Sequence, residues 1–347
     1  MALAIMKTFV AEYPESPSLY QAYDFMAQIL GSQSKGTEAI QTYEEYLKQR
    51  PDEPSAAEAL LKLNSLWKGY ADSQGPVLAQ DAPKRAEWTK GFDNSIAAAE
   101  QIIARFPDSP AVALALNNLL EIQKTKLRAR LTTDAEIEKY FEDLAGKAEG
   151  KAGAQSKIRF TLSAFLSEKN KDKAVKMMGE AYKAELKYAP EDMDLFGKTL
   201  LAKKDYEKAL EVYGKLARDY PIPAGMDPKK APKQTQEAQA IALSGEGNAL
   251  LGKKENEAAA KKFKELEENY AWSPKMMEVN YGIAQDLHDK KQDEDALKRL
   301  LEVVKNSNAT SELRAKSMLL LGIIHEEAGR FDVAIDNYIK IGRRPAA

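Results

Sequence analysis

The chain has 347 residues, of which 51 are Lys or Arg and 53 are Asp or Glu, for a formal charge of -2. That balance argues against nucleic acid as a partner, because electrostatic binders carry a basic excess or stripe. With no Cys and two His, disulfides, zinc fingers, iron–sulfur clusters, cysteine nucleophiles and His-rich metal sites are excluded, and no cofactor is expected.

At the start, residues 1–17 (MALAIMKTFVAEYPESP) lack a basic leader region and are interrupted by Lys7 and Glu12, so they do not read as a signal peptide. No run of about 18 uncharged apolar residues occurs anywhere, so no transmembrane helix and no direct membrane insertion are predicted. One phrase then recurs along the chain, at 12–17 (EYPESP), 105–110 (RFPDSP), 219–223 (DYPIP) and 269–274 (NYAWSP). An aromatic, then Pro, then a capping Ser or Asp stops one helix and starts the next. Between these stops the pattern is two amphipathic helices joined by a short polar turn, such as 252–255 or 328–331. Period-two β-branched runs are absent, so strands are not expected.

Two stretches interrupt the pattern. Residues 71–85 are expected to lengthen the turn inside the second helix pair. Residues 223–233, rich in Pro, are expected to form a loop or hinge between helical repeats at 1–222 and further repeats at 234–347, within one continuous array. An orphan helix near 3–13 would precede about eight helix pairs.

Three segments align especially well: Asp192–Pro221, Ala242–Pro274 and Lys316–Ile341. Each first helix has a central glycine (Gly197, Gly247, Gly322). Each second helix has Ala followed four residues later by an aromatic: Ala209 and Tyr213, Ala259 and Phe263, Ala334 and Tyr338. Ala39 and Tyr43 repeat this near the N-terminus, with Ala27 in place of the glycine. A mid-helix Gly costs about 0.5–1 kcal/mol against Ala, so three in equivalent places imply a packing reason: closely crossing helices need a small residue at the contact.

This pattern resembles the tetratricopeptide repeat. The small residue of helix A, the Ala-x-x-x-Tyr/Phe of helix B and the terminal Pro all match. The anchors Ala39, Ala209, Ala259, Ala296 and Ala334 fall in order, with last steps of 37 and 38 residues against the family's usual 34 or so. The match is strong over 18–51 and 191–347 and weaker over 55–190. Repeats this long, ending in Tyr-Pro or Phe-Pro, look most like bacterial cell-envelope members. The resemblance implies an all-α, right-handed superhelical solenoid of about eight antiparallel pairs. It also implies a non-enzymatic scaffold for a protein or peptide partner, in the periplasm or at the outer membrane, the cytoplasm being the alternative. A binder of cell-wall glycan or another small ligand is the competing function.

In that family, helix A side chains facing away from helix B line an inner groove. Carried over residue by residue, the groove would hold Asp24 and Gln28, Arg159, Asp194 and Lys198, Ser244 and Asn248, and Tyr281 and Gln285. Asn248 matches the Asn of the subclass that clamps a C-terminal carboxylate, but Ser244 stands where its Lys belongs, which disfavours that reading. Asn248, Tyr281 and Gln285 form the most recognition-like cluster, an aromatic beside amide groups. At the ends, the first helix resembles a helix B without its helix A, and 331–341 is apolar enough to receive a neighbour. Docking of a partner or a second copy at one or both ends is one open reading; continuation into a longer array, or cover of the face by its own long side chains, is the other.

The remaining motifs are weak. His325, Glu326 and Glu327 open like His-Glu-x-x-His, but Gly329 replaces the second His. His288 lies one repeat earlier and is the one other imidazole. The glycines between Gly245 and Gly252 sit inside a predicted helix and not after a strand, so they do not make a phosphate loop. The common nucleophile and nucleotide signatures are missing. The basic run 124–130 suits a helix C-terminus, and Trp67, Trp88 and Trp272 read as local packing rather than a carbohydrate platform.

Overall fold

A computed structural model describes residues 2–74 and 82–342. Among these there are seventeen α-helices, one 3₁₀ turn and no strand. The chain divides into two compact units, one ending at Leu186 and the other beginning at Lys187.

The first unit holds α1 (Ala2–Glu12), α2 (Leu19–Ser32), α3 (Gly36–Gln49), α4 (Pro54–Ser73), α5 (Ala82–Arg105), α6 (Ala111–Arg128), α7 (Asp134–Lys147), α8 (Ala152–Leu166) and α9 (Lys171–Tyr182). The second holds α10 (Pro190–Ala202), α11 (Tyr206–Asp219), α12 (Lys233–Gly252), α13 (Asn256–Tyr270), α14 (Pro274–Asp289), α15 (Asp293–Lys305), α16 (Ser311–Glu327) and α17 (Phe331–Gly342). Three helices (α4, α10, α14) start on Pro, α14 at the end of the 269–274 phrase; Pro lacks the N–H that the first turn would leave unpaired. Ser273 and Thr310 then cap α14 and α16 by accepting backbone N–H bonds from Lys275 and Leu313.

Five of the turns within pairs share one geometry. Ser34, Lys204, Lys254, Lys291 and Gly329 each adopt a left-handed φ between 61° and 74°. The next residue donates its N–H to a carbonyl five residues back, at Leu30, Leu200, Leu250, Leu287 and His325. This closes the first helix, and the second starts at once. It yields packed antiparallel hairpins: α2 with α3, α10 with α11, α12 with α13, α14 with α15 and α16 with α17. The first helices then stack in series, α2, α4, α6 and α8 in one unit and α10, α12, α14 and α16 in the other.

Three details of the packing go beyond that pattern. The eight successive pairs are not all hairpins: α6 packs on α4, α5 and α8, while α7 packs on α8. Arg130 makes the same left-handed turn after α6, but Leu131 and Thr132 intervene before Thr133 caps α7 with a capping box to Glu136. Those extra residues carry α7 off its expected partner. The interruption at 71–85 is also shorter than expected, because 71–73 complete α4 and 82–85 begin α5; residues 75–81 lie outside the described residues. The Pro-rich stretch, finally, lies inside the second unit, between helices α11 and α12 that pack together. Gln236 donates to Ala231 O at 2.7 Å, which ties the loop to α12, and Gln239 donates to Ala217 O and Tyr220 O, which ties the end of α11 to α12.

Candidate functional site: the first-helix face and a cleft in the second unit

The central glycines are contact points. A Cβ at Gly197 would run into the ring of Tyr213, one at Gly247 into Phe263, and one at Gly322 into Tyr338. Tyr213 also covers Gly245 of the following first helix, so one fully buried ring locks α10, α11 and α12 together. Burial above all, with Asp194 and Glu278 adding to it, pushes the Tyr213 hydroxyl well above the usual phenol range. The pair Ala284 and Leu300 plays the same part between α14 and α15, both fully buried. The spacing from Ala296 marks both positions in the sequence, but the aromatic template hides them.

The residues expected on the first-helix face fare differently. Asp194 and Lys198 of α10 are engaged: Lys275 of α14 donates to Asp194 at 2.6 Å, Lys198 pairs with Asp194 at 3.3 Å and with Glu278 at 2.9 Å, and Lys275 reaches Glu278 at 3.2 Å. Burial would lower the Lys198 ammonium, but Asp194 and Glu278 outweigh it and hold it above its ordinary range. Sequence reasoning missed Lys275 and Glu278, since nothing local marks a contact across some eighty positions. Asp24 has a parallel arrangement in the first unit, accepting from Tyr43 at 2.5 Å and from Gln28 at 2.6 Å.

On α12, Ser244 is buried and Asn248 exposed; on α14, Gln285 is exposed. Tyr281 is half-buried, packed against the core residues on either side of α14. Arg159 belongs to the first unit, where it lines a cleft of about 730 Å³ with residues of α7 and α9.

The second unit contains a further cleft, of about 710 Å³. It runs between α13 and α14 and is edged by α12 and by Arg299 of α15. Phe263, Met276, Val279 and Ile283 make its apolar wall, with Leu251 at its lip. Asn248 and Asn256 stand on its rim, whereas Tyr281 and Gln285 are not among its lining residues. The expected cluster is therefore split: Asn248 faces this cleft and the other two do not.

The other motifs resolve into structure. His288 Nδ1 lies 2.7 Å from Asp293, and His325 Nδ1 is buried without a hydrogen-bond partner. Burial first, then Arg330, lowers the His325 pKa below its usual value. No group of three or more His, Cys, Asp or Glu able to hold a metal occurs among the described residues. Gly197-Lys198-Thr199 reads like the end of a phosphate-loop motif, but it lies mid-helix in α10 and the Thr199 hydroxyl donates to Leu195 O at 2.7 Å. In the basic run, Lys124 pairs with Glu121 and Lys126 with Asp93. Trp88 is buried against Phe92, and Trp67 packs edge-on to Tyr70. No helix of the described residues is long and apolar enough to cross a membrane.

These features define an all-α stack of helix hairpins carrying tandem repeats. Sequence models of the tetratricopeptide repeat match residues 193–221 and 256–324, both within the second unit. No curated protein matches the chain. Among solved structures, it is similar to the human IFIT1 dimer with m7Gppp-AAAA, at 12% identity and TM-score 0.41, covering 99% of this chain and 95% of that one. It is also similar to the APC/C hetero-tetramer Cut9-Hcn1, at 10% identity and TM-score 0.43, covering 98% of this chain and 71% of that one.

Proposed function

We propose that this protein is a non-enzymatic interaction scaffold that binds a protein or peptide partner on the first-helix face of its second unit. The observation that carries the reading is the match of tetratricopeptide-repeat models to 193–221 and 256–324, the two segments that flank α12; Asn248 of α12 and Gln285 of α14 are both exposed to solvent. Asp194, Lys198, Ser244 and Tyr281 frame that face, and Arg159 offers a separate contact in the first unit. The Asp194–Lys198–Lys275–Glu278 network fixes α10 and α14 in register beneath a ligand. Exposed apolar residues of α17, Phe331, Ile335 and Ile339 among them, add a surface for self-association. The long repeats ending in Tyr-Pro and Phe-Pro favour the bacterial envelope as the compartment, which fractionation of the native cell tests directly.

The binding test is affinity capture from native extract followed by titration of the captured partner against purified chain. Asn248→Ala with Gln285→Ala removes two exposed amides without touching the core. The expected result is a partner bound by the parent and at least tenfold more weakly by the double variant, with an unchanged melting temperature. Equal binding by both chains moves the interface off this face; capture of nothing but the bait defeats the scaffold reading.

A further inference from the structure

The cleft between α13 and α14 is an unfilled copy of a contact that the same unit closes elsewhere. Gly247 and Ala284 each precede their second-helix anchors, Ala259 and Ala296, by 12 residues, and Gly245 and Gly282 each stand two residues before them. At Gly245 the ring of Tyr213 occupies the space a side chain would take. At the matching place on α16, Leu320 fills the space itself and packs against the core around Leu300 and Ile324. At Gly282 no heavy atom lies within 4 Å of the Cβ position, and the cleft of about 710 Å³ opens there.

We propose that the part of this cleft beside Gly282 is a slot for one aromatic side chain, Tyr or Phe, presented by a partner polypeptide; the assignment rests on the scaffold reading above. The molecule supplies its own precedent in Tyr213, a ring seated between two first-helix glycines. Phe263 forms one wall, placing a second ring within reach of offset or edge-to-face packing. Met276 supplies an adaptable apolar contact beside it, and Ile283 a stiffer, branched one. The charges on the rim are already matched: Lys290 pairs with Asp286 at 2.6 Å, Arg299 with Glu267 at 3.5 Å, and Glu278 with Lys275. A charged side chain entering the slot would be desolvated with no free counter-charge, whereas an aromatic one exchanges water for apolar wall. Asn248 and Asn256 on the rim supply amide groups for the main chain that carries the ring.

The test uses the full chain with labelled Met and Ile methyls, titrated in turn with N-acetyl-tyrosinamide, N-acetyl-leucinamide and N-acetyl-glutamic acid amide. The Met276 and Ile283 methyl resonances should shift saturably with the tyrosine amide, several-fold less with the leucine amide, and not at all with the glutamate amide. Gly282→Phe places a ring of the chain's own in the slot and should abolish the shift with the melting temperature maintained. If Gly282→Phe melts early, Leu251→Asp at the exposed lip serves instead and should weaken the shift several-fold. Methyls that do not move, or that move equally in the filled variant, overturn the slot. A captured partner bound equally by parent and Gly282→Phe also overturns it and leaves the scaffold reading standing. An aromatic amide that occupies the slot in a chain capturing no partner overturns the polypeptide assignment.

Discussion

Two junctions of the second unit carry nearly the same sequence signature and end in opposite states. Between α11 and α12, Tyr213 is clasped by Gly197 and Gly245, and the Tyr220 hydroxyl donates to Tyr188 O at 2.9 Å. Between α13 and α14, Phe263 covers Gly247 but leaves Gly282 bare, and the Tyr270 hydroxyl is buried without a partner. The first junction is sealed by one ring serving two helices. In the second, the ring serves only its own pair, and the space becomes a cleft. A glycine at a helix crossing thus permits close approach without compelling it; the neighbour must arrive with the right ring at the right height.

The largest effect expected from this contrast is at the sealed junction. Tyr213→Ala removes a fully buried ring that three helices share and should cost about 3–5 kcal/mol, read from urea or thermal unfolding. A loss under about 1 kcal/mol would mean that the lock is not a principal contact. Gly245→Leu should cost about 1–3 kcal/mol by overpacking against Tyr213, and Gly247→Leu a similar amount against Phe263. A neutral result at either position would put the repeat register in error.

The tyrosine hydroxyls sharpen the comparison with a smaller signal. Tyr220→Phe discards a made hydrogen bond and should cost about 1 kcal/mol, while Tyr270→Phe discards an unmade one and should be neutral or stabilising. Equal losses would show that both hydroxyls are bonded. Gly282→Ala should raise stability by about 0.5–1 kcal/mol, the ordinary helix preference for Ala, because open space receives the methyl. Gly245→Ala, meeting the Tyr213 ring, should go the other way.

The smallest effect concerns pH. An unfolded His takes up its proton near pH 6.5 or so, and folded His325 does so only at lower pH because burial and Arg330 disfavour the charge. Between those two values the unfolded chain binds more protons, so this contribution is intact above the unfolded pKa and is lost as pH falls through the folded one. His325→Phe should flatten that part of the stability profile; an unaltered slope would mean that the ring titrates as it does in water.

Much of the fold was legible because it rests on local chemistry. Tyr-Pro and Phe-Pro stops, central small residues and the Ala-x-x-x-aromatic spacing act within some forty residues, and they led directly to the helix pairs. The departure at α6 and α7 was signalled only by weak consensus, since two extra residues before a capping Thr look innocuous in a sequence. Of the candidate site, the exposed positions of Asn248 and Gln285 followed from the resemblance to the repeat family. The occupation of Asp194 and Lys198 did not, because Lys275 and Glu278 come from two repeats away.

By itself, then, the sequence determined the secondary structure, the repeat register and the glycine–aromatic contacts inside three of the pairs, because these depend on helix stops, caps and a fixed 12-residue spacing. It also excluded thiol chemistry and argued against a strongly electrostatic partner by composition alone. Only the tertiary structure decided which inter-repeat junctions close, since that depends on how far apart two packed hairpins stand and on whether a ring from one reaches the bare backbone of the next. The sealed contact at Gly245 and the open cleft at Gly282 are both glycine in the sequence; three-dimensional packing makes one a core contact and the other a vacant slot.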